Sequence, residues 1–184
     1  MTPYDEWYYE EQYHGSRRSA DALLPAVLSV LGRPVSTLAD LGCGSGAWCD
    51  AAHSLGIGTV LGLDGAWAEP ISRARRAWTF TQIDLRTTVF TPPQKFDLAL
   101  CLEVAEHVPA DAEPNIFASL DAAADAVLFS GAVPGQGGMD HINERPASHW
   151  RARMTERGYR QVPLVIPEAC SWWYRNNTGL WVRP

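Results

Sequence analysis

The sequence has little that would tie it to an oxidising compartment, a membrane or a nucleic acid. It holds only four cysteines in 184 residues, Cys43, Cys49, Cys101 and Cys170. No two stand in a C-x-x-C pair and no histidine follows at zinc-finger distance, which argues against a zinc finger or a disulfide framework. Reduced thiols in a cytoplasmic protein are expected. No apolar run approaches the ~20 residues of a membrane span. The start, Met1 to Trp7, is acidic and aromatic and lacks the basic and apolar regions of a signal peptide. Basic residues are outnumbered, 15 Lys and Arg against 21 Asp and Glu, for a net charge of −6. That balance counts against a nucleic-acid surface, which needs a basic patch. The cluster Arg73, Arg75 and Arg76 reads as a solvated helix face. Internal repeats and low-complexity tracts are also missing.

What is present suits one domain, residues 1–184, with 1–18 as an N-terminal arm or lid. Apolar residues Leu23, Leu24, Val27, Leu28 and Leu31 recur at helical spacing, with Ser19 as the expected N-cap and Gly32 as the stop. Thr37–Leu41, Thr59–Asp64, Phe80–Asp84, Phe96–Leu102 and Ala126–Ser130 read as buried strands. Helices are expected over Ala47–Leu55, Pro70–Ala77, Asn115–Ala124 and Arg145–Arg157. Alternation of this kind predicts an α/β fold, a doubly wound parallel sheet covered on both faces. Tyr159–Ile166 and Trp172–Val182 read as two closing strands, paired through a Pro167–Ser171 turn as an antiparallel edge.

The most informative stretch is Leu38-Ala39-Asp40-Leu41-Gly42-Cys43-Gly44-Ser45-Gly46-Ala47. Three glycines at alternate positions after a strand let a ligand lie on the backbone. Gly42, Gly44 and Ala47 satisfy a dinucleotide pattern, but Asp40 just before the turn would repel a pyrophosphate and suits a cationic ligand. Asp64, at the end of the second strand, suits a ribose diol. Asp84, at the end of the third, can accept from an adenine amino group, with Leu85 as apolar neighbour. Strand-end capping is the bland alternative for these acids.

The pieces L-A-D-L-G-C-G-S-G, L-G-L-D-G, Q-I-D-L and F-D-L-A-L-C-L-E-V-A-E-H-V resemble the class I S-adenosylmethionine-dependent methyltransferases, from about Ser19 to the end of the chain. The P-G-Q-G-G…H-I-N-E-R-P…W stretch is similar to a branch of small bacterial members. The resemblance implies a Rossmann-like seven-stranded sheet of order 3-2-1-4-5-7-6 with strand 7 antiparallel. It implies that Asp40, Gly42, Cys43, Gly44 and Gly46 line the methionine and ribose part of S-adenosylmethionine. Asp64 and Gly65 would hold the ribose, Asp84 and Leu85 the adenine, and Leu102 and Glu103 would flank the methyl-transfer point. Tyr13, Arg18 and Ser19 are candidates for a contact from the N-terminal helix.

Glu103-Val104-Ala105-Glu106-His107 follows the fourth strand, and His141, in a glycine-rich loop with Asn143 and Glu144, follows the fifth. Glu103, His107 and His141 are the candidate catalytic residues, positioning the acceptor and removing its proton. Two carboxylates and an imidazole also form a credible divalent-metal set. Small-RNA terminal 2′-O-methyltransferases and ubiquinone-pathway O-methyltransferases use a similar E-x-x-E-H run for metal. The metal-free reading is preferred here, because many methyltransferases carry such a segment without an ion. Trp7, Tyr8, Tyr9 and Tyr13 read equally as a lid or as a packed arm. Trp172, Trp173 and Tyr174 read as core and edge packing.

These features predict methyl transfer from S-adenosylmethionine to an O or N atom of a small-molecule acceptor, by a monomer or homodimer. The alternatives are a metal-dependent RNA-terminal 2′-O-methyltransferase and a catalytically inactive cofactor-binding subunit. A nicotinamide-dependent oxidoreductase is disfavoured by Asp40 and Asp84.

Overall fold

The computed structural model describes residues 6–68 and 77–184, with the side chains of the first helix described from residue 12 onward. The expected helix over Pro70–Ala77, with its arginine cluster, and the side chains of Trp7, Tyr8 and Tyr9 lie outside the described residues. Seven strands form one mixed sheet in the order 3-2-1-4-5-7-6. They are β1 (Thr37–Leu41), β2 (Thr59–Asp64), β3 (Thr79–Gln82), β4 (Leu98–Leu102), β5 (Ala126–Ser130), β6 (Arg160–Val162) and β7 (Gly179–Val182). β1 to β5 pair in parallel, and β7 is antiparallel to both β5 and β6. Among the described residues no helix is long and apolar enough to cross a membrane.

Both faces of the sheet are covered, which is why the central strands are apolar throughout rather than alternating. On one face, α1 (Glu6–Leu31) and α2 (Ala47–Ser54) set Leu23, Leu24, Val27 and Trp48 against Leu38, Leu100 and Leu128. On the other, α3 (Glu113–Ala123) and α4 (Ala147–Thr155) set Phe117, Leu120, Trp150 and Met154 against Leu41, Cys101 and Val127. The strand order reverses between β1 and β4, so the loops after these two strands flank a crevice at the carboxyl edge of the sheet. Ligands bind at such a switch point in open α/β sheets.

Three expectations are corrected. Ser19 is no N-cap, because α1 runs unbroken from Glu6. Its buried hydroxyl donates to the Gly15 carbonyl at 2.7 Å and accepts the Ser171 amide at 2.9 Å, so it pins α1 to the C-terminal segment. Trp172–Val182 is not one strand: Trp172–Asn177 is a short helix, α5, and only Gly179–Val182 extends. Tyr174 fixes that helix, its hydroxyl lying 3.0 Å from Ser16 Oγ and accepting the Trp48 indole N–H at 3.2 Å. The sheet therefore closes as expected, but β6 and β7 are joined by a helical excursion that brings Asn177 to Glu103, not by a tight turn. β3 also stops at Gln82, so Asp84 stands in the loop beyond it.

Candidate active site

The turn after β1 has two tight glycines and an open one between them. Gly42, Gly44 and Gly46 all have positive φ, at 82°, 51° and 81°. A Cβ at Gly42 would sit 2.4 Å from Val104 Cγ2, and one at Gly46 would sit 2.2 Å from Trp78 Cζ2. These glycines exist for close packing. A Cβ at Gly44 would meet nothing within 4 Å, so this position opens onto free space. Cys43 is buried in the core beneath the turn, and α2 starts directly after it. The Gly42 and Cys43 amides both donate to the Leu63 carbonyl, at 2.7 and 3.0 Å, which fixes the turn against the end of β2.

Asp40 and Asp64 stand beneath and beside this turn. Asp40 is 2% exposed and its described partner is the Cys49 thiol, which donates to it at 3.6 Å. Burial pushes its carboxyl up to about 7, with the nearby Asp64 adding to the rise and the Cys49 thiol opposing it. Asp64 accepts the Gly44 amide at 2.7 Å and the Gly65 amide at 2.6 Å. Burial raises its pKa too, and those two amides pull against the rise. The Trp67 side chain adds a third hydrogen bond, and a carboxylate with three donors still has acceptor capacity left.

Asp84 is differently occupied. Its two oxygens take a bidentate fork from Arg86, at 2.9 and 2.8 Å, plus the Arg86 amide at 3.0 Å. That pairing holds its carboxyl below the ordinary value. Arg86 also lies 5.5 Å from the ring centre of Trp67, and that ring covers Gly65, where a Cβ would be 2.1 Å from it. Leu85 is buried in the core layer that holds Leu41 and Leu63. Trp67 and Arg86 went unnoticed in the sequence, although an exposed tryptophan three residues after a strand-end acid is a usable signal.

Across the crevice, β4 ends at the buried Leu102 and the chain enters Glu103 at φ 57°, unusual for a residue other than glycine. Its carboxyl accepts the Asn177 amide at 3.1 Å and the Gln136 side-chain amide. Burial raises the Glu103 pKa, and hydrogen bonds from Ser130, Gln136 and Asn177 oppose that. Gln136 and Asn177 are functional neighbours that sequence reasoning missed, Asn177 because its helix was read as a strand.

The acid–histidine segment makes one 3-10 turn, Ala105–His107. It brings Glu106 and His107 together with His141 from the loop after β5, one ligand atom of each lying within 4.8 Å of the others. Glu103 is not part of this group of three. The two imidazoles meet edge to face at 4.8 Å. The loops are laced together by the Ile142 and Asn143 amides, which donate to the Glu106 carbonyl at 3.0 and 2.9 Å. Burial lowers the His107 pKa, and the neighbouring His141 lowers it further. Of the N-terminal candidates, Tyr13 donates to Asp50 at 2.8 Å, Ser19 is buried in the α1–α5 contact, and Arg18 is exposed beside Cys170 to Trp173.

Residues 38–125 match the family model described as a methyltransferase domain. A search of the curated proteins found no match. Similar solved structures include CalS10, an amino pentose methyltransferase from Micromonospora echinaspora, with S-adenosylmethionine bound. It is 16% identical over 100% of this chain and 99% of that one, with a TM-score of 0.72. The magnesium protoporphyrin IX methyltransferase ChlM from Synechocystis PCC 6803, also with S-adenosylmethionine bound, is 20% identical over 92% and 80%, with a TM-score of 0.64. The mitomycin 7-O-methyltransferase MmcR is 14% identical over 94% and 54%, with a TM-score of 0.64.

The methyltransferase-domain match spans residues 38–125, and the fold is the one that these S-adenosylmethionine-dependent methyltransferases share. The protein is a methyltransferase, and S-adenosylmethionine is its cofactor.

Proposed function

We propose that this chain methylates an O or N atom of a small-molecule acceptor, using one cytoplasmic domain over residues 1–184. The carrying observation is the contact of Gly42 with Val104. It sets the glycine turn directly against the acid–histidine segment, so a donor in the turn and an acceptor beside His107 share one crevice. The residues fit the cofactor. Gly44 leaves open space over the turn, and two carboxyls adjoin it with, among the described residues, no cationic side chain acting on either. Asp40 and the turn 42–46 hold the methionine end, Asp64 and Gly65 the ribose, and Asp84 and Leu85 border the adenine, with Trp67 beside them. Leu102 closes the floor below the transfer point.

The cofactor supplies a methyl group made electrophilic by its sulfonium, so in-line displacement needs mainly proximity and alignment. Glu103 is held by Asn177 and Gln136 and orients the acceptor. His107, kept neutral by burial, offers a lone pair for the acceptor's proton when no ion claims that nitrogen, and His141 packs against it. The acidic balance of the chain supports a small acceptor over a nucleic acid. The similarity to amino pentose and mitomycin methyltransferases supports it too.

Asp64→Ala should weaken S-adenosylhomocysteine binding by about 5- to 150-fold in calorimetry, the loss of about 1–3 kcal/mol for a buried hydrogen-bonding partner. Unchanged affinity would remove Asp64 from the site. A panel of hydroxyl and amine acceptors, read by S-adenosylhomocysteine release, tests the acceptor class. Within it, His107→Asn should cut turnover by about 100- to 10,000-fold with donor affinity intact. Turnover confined to RNA, and falling steeply with salt, would overturn the small-molecule reading.

A further inference from the structure

The geometry points to a divalent transition-metal site built from Glu106, His107 and His141. The sequence favours no metal here, yet four observations converge on a cation. The three side chains place one ligand atom each within 4.8 Å of one another, although they come from two different loops. Neither oxygen of the Glu106 carboxyl has a well-formed hydrogen bond, its polar neighbours being the Glu103 carboxyl and the Glu106 and Ala132 backbone, and the residue is 0% exposed. A carboxylate so poorly satisfied at that depth is stable only when it is protonated or faces a cation. Among the described residues no arginine or lysine pairs with it.

The other two observations concern the histidines. The His141 Nδ1 lies 3.1 Å from Glu144, whose carboxyl also accepts the Gly135 and Gly137 amides at 2.8 and 2.9 Å. That pairing places the proton on Nδ1 and leaves Nε2 as a lone pair. His107 is bonded to the backbone of Asp140. Metal-binding histidines are oriented in this way, by a carboxylate or backbone carbonyl on the far nitrogen. Gly138 lets the His141 ring in, since a Cβ there would sit 2.3 Å from its Nε2.

Two imidazoles and one carboxylate suit a borderline first-row ion such as Zn²⁺, Co²⁺, Mn²⁺ or Fe²⁺ better than Mg²⁺ or Ca²⁺, which prefer oxygen sets. Three protein ligands leave coordination positions open, the pattern of a working site rather than a structural one. Glu103 is turned to Asn177 and Gln136, so it is not a ligand. Its amide clamp turns it away from the ion, although the Glu103 and Glu106 carboxyls still adjoin. An open position beside the transfer point would anchor an acceptor oxygen. That use rests on the proposed acceptor, whereas the site itself does not.

The test uses the full chain, dialysed against chelator and titrated with CoCl₂. Visible absorption and calorimetry are read together, with S-adenosylhomocysteine binding measured on the same sample. One Co²⁺ per chain at micromolar or tighter affinity is expected, with d–d bands of a mixed nitrogen–oxygen site. His141→Asn and Glu106→Gln should each weaken it at least tenfold, and Glu144→Gln should weaken it about 10- to 100-fold as the orienting partner. His53→Asn, on the exposed face of α2, should bind as the wild type does. Thermal unfolding checks that each variant is folded, and Glu106→Gln, which removes a buried charge, should fold at least as well as the wild type without ion. Cobalt binding absent at 50-fold excess, or unmoved by both His141→Asn and Glu106→Gln, would overturn the site. Intact S-adenosylhomocysteine binding in that case leaves the methyl-donor reading standing, so the two failures are distinguishable.

Discussion

Gly44→Ala is expected to cut S-adenosylhomocysteine affinity by tenfold or more while leaving the fold nearly intact. A Cβ at residue 44 meets no protein atom within 4 Å. The stability loss is then only the left-handed backbone penalty of about 1–2 kcal/mol at φ 51°. The same methyl projects into the space where the donor must lie on the backbone. Gly46→Ala should do the reverse. Its Cβ would fall 2.2 Å from the Trp78 ring, which cannot move freely because its indole N–H donates to Asp50 at 2.7 Å. Overpacking and backbone strain together should cost about 2–4 kcal/mol. Chemical denaturation and calorimetry on the two variants separate the roles. Equal losses of stability, or retained donor affinity in Gly44→Ala, would show that the turn has been misread.

That contrast bears on what the sequence made legible. β1, β2 and β5 have the expected bounds because each is a short apolar run closed by glycine, aspartate or serine, and both faces are buried. The three glycines at alternate positions were also plain in the sequence. Their division of labour was not, because it depends on Val104 and Trp78, which are distant in the chain. Ser19 has the residue type of a helix start, and Ser16 carries no sequence signal. Their real partners, Ser171 and Tyr174, lie more than 150 positions away. Trp172, Trp173 and Tyr174 have high strand propensity, yet six residues there coil because tertiary contacts to α1 and α2 hold Tyr174. Propensity is a weak prior against such contacts.

The acceptor side was legible as residue types only. Glu103, Glu106 and His107 read as one set of metal-ligand types on a single short segment, with His141 in a separate loop. The segment makes one turn, and that turn divides them. The φ of 57° at Glu103 points its carboxyl to Asn177 and Gln136, while Glu106, three residues on, meets the two histidines. A one-turn backbone choice of this kind has no periodicity to announce it. Asp84 likewise carries its bidentate arginine only two residues away, a local pairing that the sequence permitted and the structure realises.

Asp40→Asn should make the protein more stable above pH 7 and leave it unchanged near pH 4. The native carboxyl titrates at about 7, against an ordinary value of 3.8. Below pH 4 both folded and unfolded states carry the proton, so the group contributes nothing. Between 4 and 7 the unfolded chain has lost it while the native chain retains it. Stability therefore falls by about 1.4 kcal/mol per pH unit across that window and levels off above the native value. The whole difference is about 4 kcal/mol at most, since relaxation around a buried acid reduces it. Asparagine keeps the shape, offers the Cys49 thiol an acceptor and cannot ionise, so its stability difference from wild type should trace this curve with opposite sign. Donor binding should show the other side of the linkage. A cationic donor favours the ionised Asp40, so S-adenosylmethionine binding at pH 6 should release close to one proton in the wild type and markedly less in Asp40→Asn. Calorimetry in buffers of different ionisation enthalpy reads that number directly. Identical proton release in the two proteins would place the donor's charge away from Asp40.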